Sequence, residues 1–167
     1  MVGPALSRRA MLALTAAVLV PKLVNADAVV DLGWDDLLPE GQVFVPNSVQ
    51  GLFQHDETAL ASQQPQSTGV RPDWNGKIVR LPGFIVPIEH DGAGVSAFIL
   101  VPFVGACVHV PPPPANQLVF VTTEQPYQSK GLYEPVNVTG MFGTASTWTQ
   151  LAEVGYALSA DRIEPYD

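Results

Sequence analysis

The sequence predicts an all-β domain with one or two short helices, built as a small five-stranded barrel of the oligonucleotide/oligosaccharide-binding (OB) type. Sixteen prolines and fourteen glycines among 167 residues disfavour long helices and favour short strands joined by turns. Five apolar or alternating segments follow one another after residue 75. The first is interrupted by Pro82-Gly83, which is typical of a strand that bends at a barrel corner. A β-sandwich is the alternative.

The five predicted strands lie between residues 77 and 163. Asn75-Gly76 marks a turn before the first strand, and Asp91–Gly94 joins the first two strands as a hairpin. The predicted segments are Lys77–Ile88, Val95–Phe103, Leu118–Thr122, Tyr133–Phe142 and Tyr156–Ile163. A short helix is predicted over Ser146–Val154, between the last two strands.

The first 28 residues have the pattern of an export signal. Arg8 and Arg9 precede the uncharged run Ala10–Val20, and the small-residue motif Ala26-Asp27-Ala28 follows. This arrangement predicts a secretory signal peptide of the twin-arginine type, and therefore a periplasmic protein. The uncharged run rises only about 16 Å as a helix, too little for a bilayer core of roughly 30 Å, so no stable transmembrane anchor is expected. A buried N-terminal helix is the alternative.

Residues 29–75 are predicted to form a loosely ordered N-terminal arm, because 47–68 is rich in Gln, Ser and Pro. Within this arm, residues 34–39 are expected to form one helical turn that packs Trp34 onto the domain. Residues 76–167 make up the predicted barrel, and the length after the signal suits one domain.

The chain without its signal segment is strongly acidic. Loss of residues 1–28 removes three of the 8 basic and one of the 16 acidic residues, leaving 5 and 15 and a formal net charge of −10. Such a charge is repelled by nucleic acid and by anionic lipid surfaces. We therefore expect neither as a partner.

One short stretch combines a thiol and an imidazole. Cys107 is the single cysteine, so an intramolecular disulfide is impossible. His109 follows two residues later, and in an extended segment both side chains point to the same face. A thiolate and an imidazole on one face can bind a soft or borderline ion such as Zn²⁺ or Cu⁺. Glu89 is a candidate third ligand, brought close if the first two strands pair.

Two ligands do not complete a structural metal site, so further donors must come from elsewhere. Besides Glu89, the candidates are His90, His55, a partner protein or a second copy of this chain. Other roles for Cys107 remain open. It can be buried and inert beside a hydrogen-bonded His109, paired between two chains, or a nucleophile.

Four consecutive prolines follow this pair, namely Pro111, Pro112, Pro113 and Pro114. They cannot join a sheet interior, because proline has no N–H, and they are expected to form a stiff polyproline arm. Such an arm would hold the Cys107–His109 segment rigid, with Asn116 and Gln117 orienting the ligands from behind. Alternatively, residues 111–117 are a preformed docking surface for a partner.

These segments resemble the bacterial family called domain of unknown function 3299. The resemblance lies in residues 79–89, in 98–102 and above all in Gly105–Gln117, and it covers roughly Trp34 and 75–166. The part of the resemblance that lies earlier in the chain includes Gly83, Pro87 and Glu89. The resemblance implies a small exported protein, often encoded beside ABC-transporter components, in a setting linked in some cases to zinc supply. It implies no reaction.

Together these features predict a periplasmic metal-binding or metal-handling accessory protein without catalysis, with zinc favoured over copper. Cys107, His109 and Glu89 are the expected ligands, and the resemblance implies an association with an ABC transporter. The first alternative is an adaptor that docks to a transporter or membrane complex through residues 111–117. The second is a thiol-redox or hydrolytic enzyme that uses Cys107. A site shared by two copies, and hence a homodimer, is compatible with the same residues.

Overall fold

The computed structural model describes residues 28–42, 64–106 and 111–166, apart from the side chains of His90 and Asp91. Within these ranges the strands are β1 (Val30–Asp31), β2 (Ile78–Asp91), β3 (Gly94–Val101), β4 (Val119–Tyr127), β5 (Pro135–Trp148) and β6 (Glu153–Pro165). The 3-10 turns there are Trp34–Leu37, Pro72–Trp74 and Ala115–Gln117. None of the helical segments in this part of the chain has the length and apolar character needed to cross a membrane.

Strands β2 to β6 close into a five-stranded barrel, which confirms the predicted fold class. Their order is β2-β3-β4-β6-β5, and β5 closes the circle by pairing with β2 from Ile78↔Met141 to Phe84↔Pro135. All barrel pairs are antiparallel except β4–β6, which is parallel. This is a Greek-key arrangement of the OB type. β1 lies outside the barrel and pairs in parallel with the start of β2.

Each predicted strand segment overlaps one barrel strand. The helix predicted over Ser146–Val154 is wrong, because β5 continues to Trp148 and β6 begins at Glu153. A tight turn joins the two strands, and in it Thr149 Oγ1 accepts the N–H of Ala152 at 3.0 Å. A threonine side chain that satisfies the turn backbone in this way favours a hairpin over a helix.

β2 serves two neighbours because it bends near its middle. Its first half pairs with β5 as far as Phe84, and its second half pairs with β3 from Phe84 onward. Gly83 lies at this change of partner, where an added Cβ would come within 2.7 Å of Leu100 Cγ. Glycine therefore allows the close approach on which the bend at Pro82-Gly83 depends.

Buried apolar side chains form two clusters, one inside the barrel and one on its outer face. The largest members of the inner cluster are Phe98, Phe142 and Tyr156. The outer cluster draws its strand residues from β2, β3 and β6 and consists of Val86, Ile99, Val101, Ala106, Leu118, Ala152 and Val154. Alternation along β3 supplies both, because successive strand residues point to opposite faces. Phe98 belongs to the inner cluster and Ile99 to the outer one.

The described part of the N-terminal region packs against the barrel. Leu32 and Leu37 are buried in the inner cluster. Tyr156 Oη donates to the carbonyl oxygen of Leu37 at 2.6 Å and accepts the backbone N–H of Arg71 at 2.6 Å. Residues on either side of positions 43–63 are thus fixed to the same buried phenol.

The helical turn predicted over residues 34–39 is observed as the 3-10 turn Trp34–Leu37. Asp36 Oδ2 accepts the backbone N–H of Gly33 at 2.8 Å and satisfies the start of the turn. Trp34 Nε1 donates to the carbonyl oxygen of Pro82 at 2.8 Å, so the indole is anchored on β2 as predicted.

Candidate ligand site on the outer face of the barrel

The two principal predicted ligands lie between two described segments. Cys107 and His109 belong to residues 107–110, which are outside the described residues, as is the export signal up to residue 27. Ala106, immediately before them, is fully buried in the outer cluster. Five peptide steps join Ala106 to Pro111, at most about 18 Å of chain. Cys107 and His109 are therefore covalently tethered between Ala106 and Pro111, which are the nearest described residues on either side.

The first anchor of this tether is Ala106. Tyr133 Oη donates a 2.8 Å hydrogen bond to the Ala106 carbonyl oxygen. The backbone N–H of Tyr133 donates to Ile85 O at 2.8 Å, and Ile85 N–H donates to Glu134 O at 3.0 Å. The connection between β4 and β5 is thereby folded onto β2, with its phenol aimed at Ala106.

A buried carboxylate, that of Glu134, fixes the same connection. Its oxygens accept hydrogen bonds from Tyr127 Oη at 3.0 Å, Ser129 Oγ at 3.0 Å and Lys130 N at 2.6 Å. Burial alone would raise the pKa of Glu134, but these hydrogen bonds and the Lys130 charge together lower it. Burial, together with the bond to Glu134, raises the pKa of Tyr127 to about 12. At neutral pH the carboxylate accepts and the phenol donates.

The second anchor is the proline run, in which the two middle prolines are buried. Pro112 and Pro113 are buried, whereas the first and last prolines of the run are partly exposed. Gln64 Nε2 donates to the carbonyl oxygens of Pro113 at 2.9 Å and of Glu153 at 2.8 Å. The run is thus tied to the start of β6, and the fixed φ of proline makes this end of the tether stiff.

Asn116 and Gln117 are buried and bind the N-terminal region. Asn116 Nδ2 donates to Gly69 O at 2.8 Å, and Gln117 Nε2 donates to Trp34 O at 2.9 Å. The amide oxygens of both side chains have no hydrogen-bond partner among the described residues. Docking through residues 111–117 stays a prediction, and the partly exposed part of that stretch consists of Pro111 and Pro114.

The third predicted ligand, Glu89, is exposed near the end of β2. The first two barrel strands pair, as predicted, and Glu89 lies opposite Ala97 between two register shifts. It is four residues beyond Ile85, which corresponds to about 13 Å along a strand. Glu89 therefore lies toward the hairpin end of β2.

The described residues do not form a complete metal site among themselves. In 28–42, 64–106 and 111–166, no group of three or more His, Cys, Asp or Glu side chains is placed to hold a metal ion. His55 and the side chain of His90 lie outside the described atoms, as do Cys107 and His109. The ligand roles of these residues stay predictions.

The sequence pattern does not identify Tyr133 and Glu134 as residues that support the candidate site. Tyr133 is predicted as the first residue of the fourth strand, but it has a φ of +60° and belongs to the preceding turn. The available signal was Gly131, which has a φ of +143°, together with Pro135 four residues later. A glycine and a proline at this spacing bracket a turn.

The chain is similar in sequence and in structure to one family of proteins. Residues 34–165 match the profile of a family described as "Protein of unknown function (DUF3299)". The crystal structure of a DUF3299 family protein from Pseudomonas aeruginosa PAO1 has a TM-score of 0.71 and 36% sequence identity, covering 84% of this chain and 97% of that chain. No curated protein matches the chain. The matched residues include the Trp34 turn and nearly all of the barrel.

Proposed function

Because this chain belongs to the DUF3299 family, whose function is unknown, we propose a function from the site itself: an exported, non-catalytic protein that binds one zinc ion through Cys107 and His109. The observation that carries the proposal is that the described residues on both sides of positions 107–110 are held against the barrel. Buried, hydrogen-bonded Ala106 precedes them, and buried Pro112 and Pro113 follow. Anchors at both ends reduce the conformational entropy that is lost when two ligands converge on an ion.

The donor chemistry fits zinc. Thiolate and imidazole are the ligands most typical of zinc sites in proteins. In an oxidising compartment a single thiol is open to oxidation or to pairing between chains, and ligation to zinc holds it as a bound thiolate. We propose Glu89, which is exposed near the end of β2, as the third ligand. Water or a second copy of the chain would supply the fourth.

The test is a competition titration of residues 29–167, kept reduced, against a zinc chelator of known affinity. We expect one equivalent of zinc per chain. Cys107→Ser and His109→Ala should each weaken binding by about 100-fold or more, because loss of a direct ligand exceeds the usual 10–100-fold effect of an outer-shell partner. Glu89→Gln should weaken it less.

His55→Ala is the matched control, because His55 lies outside the stretch that joins Ala106 to Pro111. It should bind zinc as the wild type does. Wild-type affinity in the Cys107→Ser and His109→Ala variants would contradict the proposal. Binding of Cu⁺ in place of zinc, with the same dependence on both residues, would keep the site and change the ion.

The transporter-adaptor alternative makes a separate prediction. It requires that a pull-down recovers transporter components equally well with the wild type and with the Cys107→Ser/His109→Ala double variant. The zinc proposal requires no such recovery, and its titration is independent of any partner.

A further inference from the structure

A row of polar side chains crosses the outside of the barrel over β2, β5 and β6. Arg80 lies opposite Thr139, and Thr139 lies opposite Arg162, in the register of these three strands. The neighbours of Arg80 along β2, Val79 and Leu81, belong to the inner cluster. Because successive strand residues point to opposite faces, Arg80 points outward, and the residues directly opposite share its face. Two guanidinium groups therefore flank one threonine on the outer surface.

The hydroxyl of Thr139 is buried and has no hydrogen-bond partner in the part of the chain that the structure describes. Thr139 is only 5% exposed, although its side chain is on the outer face. Cross-strand neighbours have Cβ atoms about 4.5–5.5 Å apart, so the stems of Arg80 and Arg162 flank it on both sides. A buried hydroxyl without a partner is unfavourable, and a ligand oxygen that accepted its proton would remove that cost.

The two guanidinium groups make only long contacts with carboxylates. Arg80 Nη1 is 3.9 Å from Asp31 Oδ1, and Arg162 Nε is 3.5 Å from Glu164 Oε2. Both distances exceed the roughly 2.7–2.9 Å of a charge-assisted hydrogen bond. All four side chains are at least 47% exposed, so these ion pairs contribute little to stability. Another anion can therefore replace the carboxylates at low cost.

The arrangement of these groups favours a tetrahedral oxyanion over a carboxylate. Two strand spacings separate the Cα atoms of Arg80 and Arg162, about 10 Å, a gap that two arginine side chains can bridge around one ion. A carboxylate has two oxygens, and the fork of a single guanidinium already occupies both. Phosphate has four oxygens, which is enough for both guanidinium groups and for the hydroxyl of Thr139 between them.

We propose that Arg80, Thr139 and Arg162 form a binding site for inorganic phosphate or for the phosphate group of a small solute. Each arginine donates N–H groups to phosphate oxygens, and the Thr139 hydroxyl donates to a further oxygen. The site lies on the half of β2 that pairs with β5, and it does not depend on the proposed zinc site.

Nearby carboxylates limit the affinity of this site. Asp31 and Glu164 lie beside the two arginines, and Asp161 is exposed next to Arg162. These groups repel a phosphate dianion, as does the excess of acidic over basic residues in the whole chain. We therefore expect a dissociation constant on the order of 1 mM.

The test is a phosphate titration of the metal-free, isotope-labelled protein followed by NMR. Phosphate replaces chloride at constant ionic strength, because salt screens exposed charges. The backbone amide of Thr139 and the Nε–Hε signals of Arg80 and Arg162 should shift together and saturate. Absence of a saturable shift in the wild type would overturn the proposal.

Three variants measure the contribution of each group. Arg80→Gln and Arg162→Gln should each weaken phosphate binding by about 10-fold or more, because each loses hydrogen bonds to a charged ligand. Thr139→Val should weaken it by about 3–10-fold. In phosphate-free protein, its midpoint of thermal unfolding should equal or exceed that of the wild type, because the unpaired hydroxyl is gone. Wild-type affinity in any of the three variants would overturn the proposed site.

Lys77→Gln is the matched control, because it removes the same charge from a residue outside the row. Lys77 Nζ lies 4.8 Å from the centre of the Trp74 ring. This variant should change phosphate affinity by less than about twofold. Equal weakening in Lys77→Gln and Arg80→Gln would overturn the proposal, because it would show general attraction of anions without a site.

Two further probes distinguish the source of the phosphate group. Glycerol 3-phosphate should compete with inorganic phosphate, whereas vesicles of phosphatidylglycerol should not bind, because the acidic chain is repelled by an anionic surface. Vesicle binding that depends on both arginines, without binding of free phosphate, would overturn the assignment to a small solute.

Discussion

The inner and outer apolar clusters differ in what encloses them. The inner cluster is surrounded by five strands and includes Leu32 and Leu37 from the N-terminal region. The outer cluster is covered mainly by connecting segments, and several aromatic side chains beside it, including Phe103 and Phe120, are only partly buried. The inner cluster builds the barrel. The outer cluster lies outside the barrel, and its member Ala106 is the last described residue before Cys107.

The largest expected effect tests this division directly. Phe98 and Phe120 lie on neighbouring strands but belong to opposite clusters, and Phe98 is fully buried. Phe98→Ala should lower the free energy of unfolding by about 3–5 kcal/mol, because it leaves a cavity inside the barrel. Phe120→Ala should cost about 1–2 kcal/mol, because its site is already partly open to solvent. Urea unfolding measures the free energy of unfolding of both variants. Equal decreases would contradict the distinction between the clusters.

The second-largest expected change in the free energy of unfolding concerns the contact between the N-terminal region and the barrel. Tyr156→Phe removes the hydroxyl that binds Leu37 O and Arg71 N–H, leaving two polar backbone groups without this partner. We expect a loss of about 1–3 kcal/mol in the free energy of unfolding. Tyr166→Phe is the control, because Tyr166 is 54% exposed, and it should be neutral. An unchanged free energy of unfolding in Tyr156→Phe would mean that these two hydrogen bonds do not stabilise the inner cluster.

The smallest effect concerns Glu134, which fixes the connection beside the outer cluster. Its pKa in the folded protein lies below the ordinary value of 4.5, so the stability it contributes is present above about pH 4.5. That contribution is lost as the pH falls through the lower, folded-state pKa. Glu134→Gln should cost about 1 kcal/mol at pH 7, because the amide keeps one acceptor oxygen and loses the charge.

The measurement for Glu134 is urea unfolding at several pH values. The wild type should lose stability faster than Glu134→Gln between pH 5 and the onset of acid unfolding, so that the two curves converge. Parallel curves over that range would show that the carboxylate contributes no pH-dependent stability.

The local parts of the fold could be predicted from sequence, and the long-range parts could not. Alternating residues and turn dipeptides indicate the strands and the bend at Pro82-Gly83, because these features depend on near neighbours in the chain. Closure of β2 on β5 depends on pairs such as Ile78↔Met141, which no local pattern encodes. The helix predicted over residues 146–154 is wrong for a local reason, because the Thr149 turn lets Trp148 pair with Glu153 and joins β5 to β6 as a hairpin.

The candidate site also combines features that the sequence shows with long-range contacts that it does not show. The spacing of Cys107 and His109 and the proline run are visible in the sequence. Burial of Gln117 is not, because the side chain binds Trp34 O, 83 positions earlier. The contact of Tyr133 with Ala106 spans 27 positions and also depends on a left-handed turn that is unusual for tyrosine.

The most direct test of the central claim is zinc-edge X-ray absorption of the zinc-loaded chain, residues 29–167, beside the Cys107→Ser variant. We expect one sulfur ligand at about 2.3 Å and at least one imidazole nitrogen at about 2.0–2.1 Å in the wild type. The sulfur should be absent from Cys107→Ser. A zinc shell without sulfur in the wild type, or a chain that retains no zinc, would contradict the account.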